Sequence, residues 1–184
     1  MGDPRRLRKK YSGPRHPWQR ARMDDEKKLR SEYGFKTKTE LWKASSALKS
    51  FANQAKKLIA LRTEQGHKEA KQLLDRLARL GLLSVSAKLD DVLGLSVHDV
   101  LDRRLQTLVV KKGLARTQKQ ARQFIVHEHI LVGDKTVNTP SYLVPVSEES
   151  QIFFTVRSSL SKDDHPERVI AKTVAKSVAK GEAQ

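Results

Sequence analysis

Between residues 102 and 135 the chain holds eight Lys/Arg against three Asp/Glu, whereas 136–156 hold no Lys or Arg. The cations are Arg103, Arg104, Lys111, Lys112, Arg116, Lys119, Arg122 and Lys135, with Thr117, Gln120 and Gln123 set among them. Arginine forks bridge two phosphate oxygens or stack on a splayed base, and lysines add point charge. Hydroxyls and amides supply neutral donors. This set of residue types suits a polyanion rather than a bond-making reaction.

Helices must position these groups. Val97, Leu101, Leu105, Leu108 and Val109 recur at helical spacing after a cap at Ser96, with Asp99 in the box position. On that one helix Arg103 and Gln106 point away from the apolar seam and Arg104 lies on its flank. Gly113-Leu114-Ala115 makes a turn. A second helix, from about Thr117 to Glu128, buries Ala121, Phe124 and Ile125, with Leu114 beside it. Lys119, Arg122 and Gln123 then face outward. Arg116 stands at its N-terminus, where free amides favour a phosphate, and Thr117 either caps the helix or donates to that phosphate.

After His129 the period falls to two. Ile130–Val132, Lys135–Val137 and Gln151–Val156 read as strands, Tyr142–Val146 is a weaker one, and Gly133-Asp134 marks a reversal. Upstream, Thr37 and Glu40 are spaced as a capping box for a helix with Leu41, Ser45, Leu48, Ala52, Ala55 and Ile59 on one face, ended by Gln65-Gly66. A second helix from about His67 to Leu80 buries Ala70, Leu73, Leu74, Leu77 and Leu80 and stops at Gly81. Lys56, Lys57, Arg62, Arg76 and Arg79 are left as solvated charges. Leu89–Leu95 reads as a one-turn connector.

The balance of the chain agrees with a polyanionic partner. It carries 37 Lys+Arg against 21 Asp+Glu, a net +16, which self-repels until a partner supplies phosphates. Residues up to Lys38 include 13 basic and five acidic residues. Pro4, Gly13, Pro14 and Pro17 prevent a continuous helix before about Trp18. Residues 1–36 therefore read as an extended arm that orders on its partner. Its candidate contacts are Arg5, Arg6, Arg8, Lys9, Lys10, Tyr11, Arg15, Trp18, Arg20 and Arg22. Tyr11 and Trp18 can stack on bases; alternatively Trp18 anchors the arm to the core. The lysine-spaced segment 162–184 reads as a flexible polar tail.

No apolar run spans a membrane, and no signal segment is visible in the first forty residues, so the expectation is a cytoplasmic, unprocessed protein with no membrane partner. Without cysteine there is no disulfide and no cysteine-based zinc site. His127-Glu128-His129 lacks a third ligand nearby, so no metal and no cofactor is expected. Asp90-Asp91 and Asp163-Asp164 diverge in direction and read as caps or solvated turns.

The words RLQT, KGLART and QARQFI, a hydrophobic strand with a glycine hairpin, and NTPSY resemble, in this order, the RNA-binding module named after ribosomal protein S-four. The flanking PRHPW and YGFKTKTELW are similar to archaeal-type forms of that ribosomal protein family, so the resemblance runs over residues 2–157. It implies an α+β fold in four parts. They are a basic arm (1–36), a helical domain (37–100), a module of two helices on a short-stranded antiparallel sheet (101–157) and a polar tail (158–184). It implies direct binding of small-subunit ribosomal RNA at a helix junction, nucleation of assembly of the subunit body, and a place beside the S-five protein and the messenger RNA entry path, with an effect on accuracy. Carried over by position, the module's RNA-facing residues are Arg103, Arg104, Arg116, Thr117, Lys119, Gln120, Arg122 and Gln123, with Lys135 in the hairpin turn. The chain lacks the N-terminal zinc cysteines of some bacterial relatives. An enzyme built on this module needs a separate catalytic domain, for which the upstream residues leave no place. A ribosome-associated factor using the same module, and a helix-turn-helix protein reading duplex DNA, are the alternatives.

Overall fold

The computed structural model describes residues 9, 11–61, 63–162 and 165. Three helices open the fold: α1 (Arg20–Glu32), α2 (Lys38–Ala60) and α3 (Glu64–Arg79). α2 buries Leu41, Ala44, Phe51, Ala55 and Leu58. With half-buried Leu48 these alternate three and four residues apart, the spacing of a straight apolar seam. The register thus differs from the expected one: Ile59 is exposed and Phe51 is inside. The aromatic ring gains more by burial than the small residues around it.

α2 ends at Ala60 rather than at Gly66. Gly66 lies in the first turn of α3, where its amide donates to the capping Thr63 Oγ1 at 3.1 Å. The Thr37–Glu40 capping box is not made. Thr37 Oγ1 pairs with Thr39 Oγ1 at 2.8 Å, and the Glu40 carboxylate serves arginines elsewhere. α3 buries Leu73 and Leu77 and stops at Gly81, whose φ is +68°. A Cβ there would also lie 3.0 Å from the Arg103 guanidinium, so the position needs glycine for space as well as for backbone.

Residues 1–36 do not form an arm throughout. Residues 20–32 are α1, and Tyr33 and Phe35 behind it are buried. Buried Glu26 explains how so charged a stretch packs. It accepts from Arg22 and from the Trp42 indole at 3.0 Å, and pairs with Lys38 at 3.3 Å. Burial alone raises its pKa, but these donors outweigh that and hold it below the ordinary value.

Two short helices follow, α4 (Leu89–Leu93) and α5 (Val97–Asp102), the second with the expected Ser96–Asp99 capping box. Then come α6 (Leu105–Lys111), α7 (Gln118–Val126), β1 (Ile130–Val132), β2 (Lys135–Thr136), α8 (Val146–Glu149) and β3 (Ile152–Phe154). The strands form one antiparallel sheet in the order β2-β1-β3. Helices and a small antiparallel sheet make the fold α+β, as expected. The weak fourth strand is absent: Tyr142–Val146 contributes only an isolated bridge, Leu143 with Arg104, before α8.

That bridge explains the main departure from the sequence reading. One helix was expected through Arg103 and Arg104; there are two, α5 and α6. The Leu105 amide donates to Tyr142 O at 2.8 Å, and the Val144 amide donates to Arg103 O at 3.2 Å. Backbone groups committed to the 140–144 loop cannot also serve a continuous helix.

Two apolar cores result. The first gathers Tyr33 through Leu101, and the second gathers Leu105 through Leu160, with Ile130, Val132, Ile152 and Phe154 packed under α6 and α7. Buried Gln106 ties them together, its amide donating to Tyr33 O at 3.1 Å and Gln118 O at 2.8 Å. Gly34, at φ +62°, lets the chain pass here; a Cβ would sit 3.0 Å from Gln118 Cβ. Tyr33 adds a bond to Asp102 at 2.9 Å.

Candidate nucleic-acid interface

The cations that the sequence groups together separate in space. Arg103 turns inward. Its Nε donates to Leu80 O at 2.9 Å, Nη2 to Val144 O at 3.0 Å and Nη1 to Glu149 at 2.7 Å. Arg104 is 4% exposed, with its guanidinium 4.9 Å from the Phe35 ring centroid and Nη2 donating to Glu40 at 2.8 Å. Both were expected outside the seam. The break between α5 and α6 rotates them into the junction of the two cores, and it buries Gln106 as well.

Arg122, on α7, meets the same carboxylate. Nη2 lies 2.8 Å from Glu40 Oε1 and Nη1 lies 3.1 Å from Oε2. Glu40 therefore takes two guanidiniums from chain segments far from its own. Burial works to raise its pKa, but the hydrogen bonds from Arg122 and Arg104 overcome this and lower it. Burial lowers the Arg104 pKa despite Glu40.

The outward groups are fewer. Arg116, Lys119, Gln123 and Lys135 are exposed. Thr117 is a cap, its Oγ1 accepting from the Gln120 amide at 3.2 Å, while Gln120 Oε1 accepts from the Arg116 amide at 2.8 Å. Two amides expected to be open to a phosphate are thus satisfied within the chain. In the arm, Lys9 and Arg15 are exposed and Trp18 is 87% exposed, which excludes Trp18 as an anchor of this fold. Tyr11 is half-buried beneath Lys43, and the next amide, Ser12 N, donates to Ser46 Oγ at 3.1 Å. Arg20 is exposed, 4.0 Å from Asp24. Arg22 is held by Glu26 and by the carbonyls of His16 and Pro17. Arg5, Arg6, Arg8 and Lys10 lie outside the described residues, as do Asp163-Asp164 and most of the tail.

The first helices were expected to supply a second contact area, but the groove on them was not singled out by residue. Ser12, Ser46, Lys49, Ser50, Asn53, Gln54 and Lys57 line a groove on the outer side of α2. Its signal was available: residues 41–63 contain four lysines and an arginine and no acid. Such a lining offers donors and positive charge without a competing carboxylate.

The S4 domain family matches residues 103–150. The small ribosomal subunit protein uS4 of Methanococcus aeolicus is 53% identical over 169 residues, which is 91% of this chain and 96% of the relative. The uS4 protein of Methanococcus maripaludis strain C7 is 50% identical over 172 residues, 93% and 97% of the two chains. This chain belongs to the uS4 family. The likeness to these archaeal uS4 proteins spans more of the chain than residues 2–157 hold, so it reaches into the tail. The likeness therefore covers far more of the chain than residues 103–150 matched by the S4 domain family. In this uS4 chain His129 is a packing residue, its Nδ1 2.9 Å from Ser158 Oγ and its ring edge-on to Phe124. Among the described residues no three His, Cys, Asp or Glu are placed to hold a metal ion, and no helix is long and apolar enough to cross a membrane.

Proposed function

We propose that this chain is a structural, non-catalytic constituent of the cytoplasmic small ribosomal subunit that binds small-subunit ribosomal RNA at a helix junction. The reading is carried by the near full-length likeness to proteins named as small-subunit constituents. The surface chemistry supports it. The module presents Arg116, Lys119, Gln123 and Lys135, and the acid-free groove of α2 presents Lys49 and Lys57. The arm adds Lys9, Arg15, Trp18 and Arg20 beside its undescribed basic residues. The A-form major groove is too deep and narrow for a helix to read, so backbone and tertiary shape are the targets. Two rigidly joined surfaces require RNA folded to meet both. Binding of that kind orders a junction early and nucleates assembly of the subunit body. Neighbouring subunit proteins, the S-five protein among them, and messenger RNA at the entry path complete the proposed surroundings, with a contribution to translational accuracy.

Competition binding at several salt concentrations tests the reading. Small-subunit RNA containing the junction is expected to displace duplex DNA of equal length from the full chain. Displacement in the opposite sense refutes it.

A further inference from the structure

We infer that Glu40 stands in for a phosphate in the cleft between the two cores: Arg122 passes from Glu40 to an RNA phosphate on binding, while Arg104 stays. The inference rests on the RNA-binding reading above and adds a site to it.

The cleft has a volume of about 410 Å³ and is lined by Thr37, Thr39, Lys43, Arg104, Arg122 and Ser141, with Glu40 the one acid among its lining residues. Three cations and one carboxylate line it, so the walls carry a surplus of positive charge. Low-dielectric walls concentrate such a field. Arg104 Nε is buried and has no hydrogen-bond acceptor among the described residues. The cleft is therefore short of negative charge and short of an acceptor, and its lining adds the hydroxyls of Ser141 and of the mutually bonded Thr37 and Thr39.

Burial separates the roles of the two arginines. The Arg104 side chain is 5% exposed and that of Arg122 is 24% exposed. Arg104 also lies over Phe35 and sits in the backbone bridge to Leu143. Leaving Glu40 would strand the buried charge of Arg104, and the charge of Glu40 as well once Arg122 had gone. Arg122 springs from α7, the helix that carries exposed Lys119 and Gln123, and its guanidinium already forms a two-pronged pair. That fork fits a carboxylate and a phosphodiester equally well. Until RNA arrives, Glu40 keeps Arg122 oriented, which removes part of the ordering cost of binding. After exchange, Glu40 remains neutralised by Arg104, so no carboxylate is left unpaired beside the phosphate.

The test is a double-mutant cycle in the full chain with Glu40→Gln and Arg122→Gln. Affinity for junction-containing small-subunit RNA is measured against salt, and each variant's fold is checked by thermal melting. Arg122→Gln is expected to weaken binding by about tenfold and to reduce the salt slope by roughly 0.7–0.9. Glu40→Gln is expected to strengthen binding when Arg122 is present and to do nothing in the Arg122→Gln background. An unchanged slope in Arg122→Gln overturns the exchange. So does a Glu40→Gln effect that is the same in both backgrounds, or one that weakens binding. If Glu40→Gln does not fold, the Arg122→Gln slope decides alone. A wild-type chain that prefers duplex DNA overturns the RNA reading itself, a result distinct from any of these.

Discussion

Arg103→Ala separates a structural arginine from a binding one. Its three donors reach Leu80 O, Val144 O and Glu149, and the side chain is 15% exposed. The two carbonyl bonds are charge-assisted and worth about 1.5–3 kcal/mol each at most. Glu149 is 37% exposed, so its pair adds only about 0–1 kcal/mol. Solvent entering the vacated space returns part of the sum, because the freed carbonyls can bond to water. The expected loss is about 2–4 kcal/mol, a large share of the roughly 5–15 kcal/mol that holds a domain folded. Urea denaturation followed by circular dichroism should show the midpoint falling by about 1–2 M for a slope near 2 kcal/mol/M. RNA binding, measured where the variant is folded, should keep the wild-type salt slope. Lys119→Ala is the opposite case. That side chain is exposed, so stability should stay within about 0.5 kcal/mol while the slope falls by about 0.7–0.9. A stability loss below about 1 kcal/mol in Arg103→Ala, together with a reduced slope, would refute the inward assignment.

Phe124→Ala should cost about 3–5 kcal/mol in the same denaturation assay, because the ring is 9% exposed and lies edge-on to Phe154 and His129. A loss under about 1 kcal/mol would show that α7 does not bury this face. The pH dependence follows from Glu26 and Glu40, both held below the ordinary value of 4.5. As pH falls through 4.5 the unfolded chain takes up protons that the folded chain resists. Their contribution is therefore present above that pH and lost as pH drops toward the lowered folded values. Urea midpoints at pH 7, 5, 4 and 3 should fall on the acid side, and Glu40→Gln should fall less steeply; an equal acid slope in that variant contradicts the role of Glu40.

Local signals were legible in the sequence, and contacts between distant segments were not. The Ser96–Asp99 box, the stops at Gly81 and Gly113, the core face of α7 and the Gly133 hairpin each depend on residues within one or two turns. All of them appear where their spacing puts them. The Thr37–Glu40 box had the right spacing too, yet Glu40 found stronger partners 64 and 82 residues away. A charged acceptor gains more from two guanidiniums than from one backbone amide. Helix α1 was hidden for a related reason. Its composition argues against folding until Glu26 gathers Arg22, Lys38 and Trp42, and until Tyr33 and Phe35 find the first core.

The same distinction limits what charge sorting can say about the interface. Of the eight basic residues in 102–135, four are paired with carboxylates of the chain: Arg103 with Glu149, Arg104 and Arg122 with Glu40, and Lys111 with Asp102. Lys112 lies 5.9 Å from the centroid of the Phe153 ring. Arg116, Lys119 and Lys135 are exposed, and so are Lys111 and Lys112 despite these contacts. A surplus of charge marks a polyanion-binding chain, but it does not say which cations hold the protein together. On the proposed function the basic cluster does both jobs. Its inner arginines tie the module to the helical core, Arg103 through Leu80 O and Arg104 through Glu40. RNA affinity should then depend on Arg103 without its touching RNA, through the geometry it maintains. Loss of that tie would lower affinity at every salt concentration and leave the slope unchanged, whereas loss of an outer cation would change the slope.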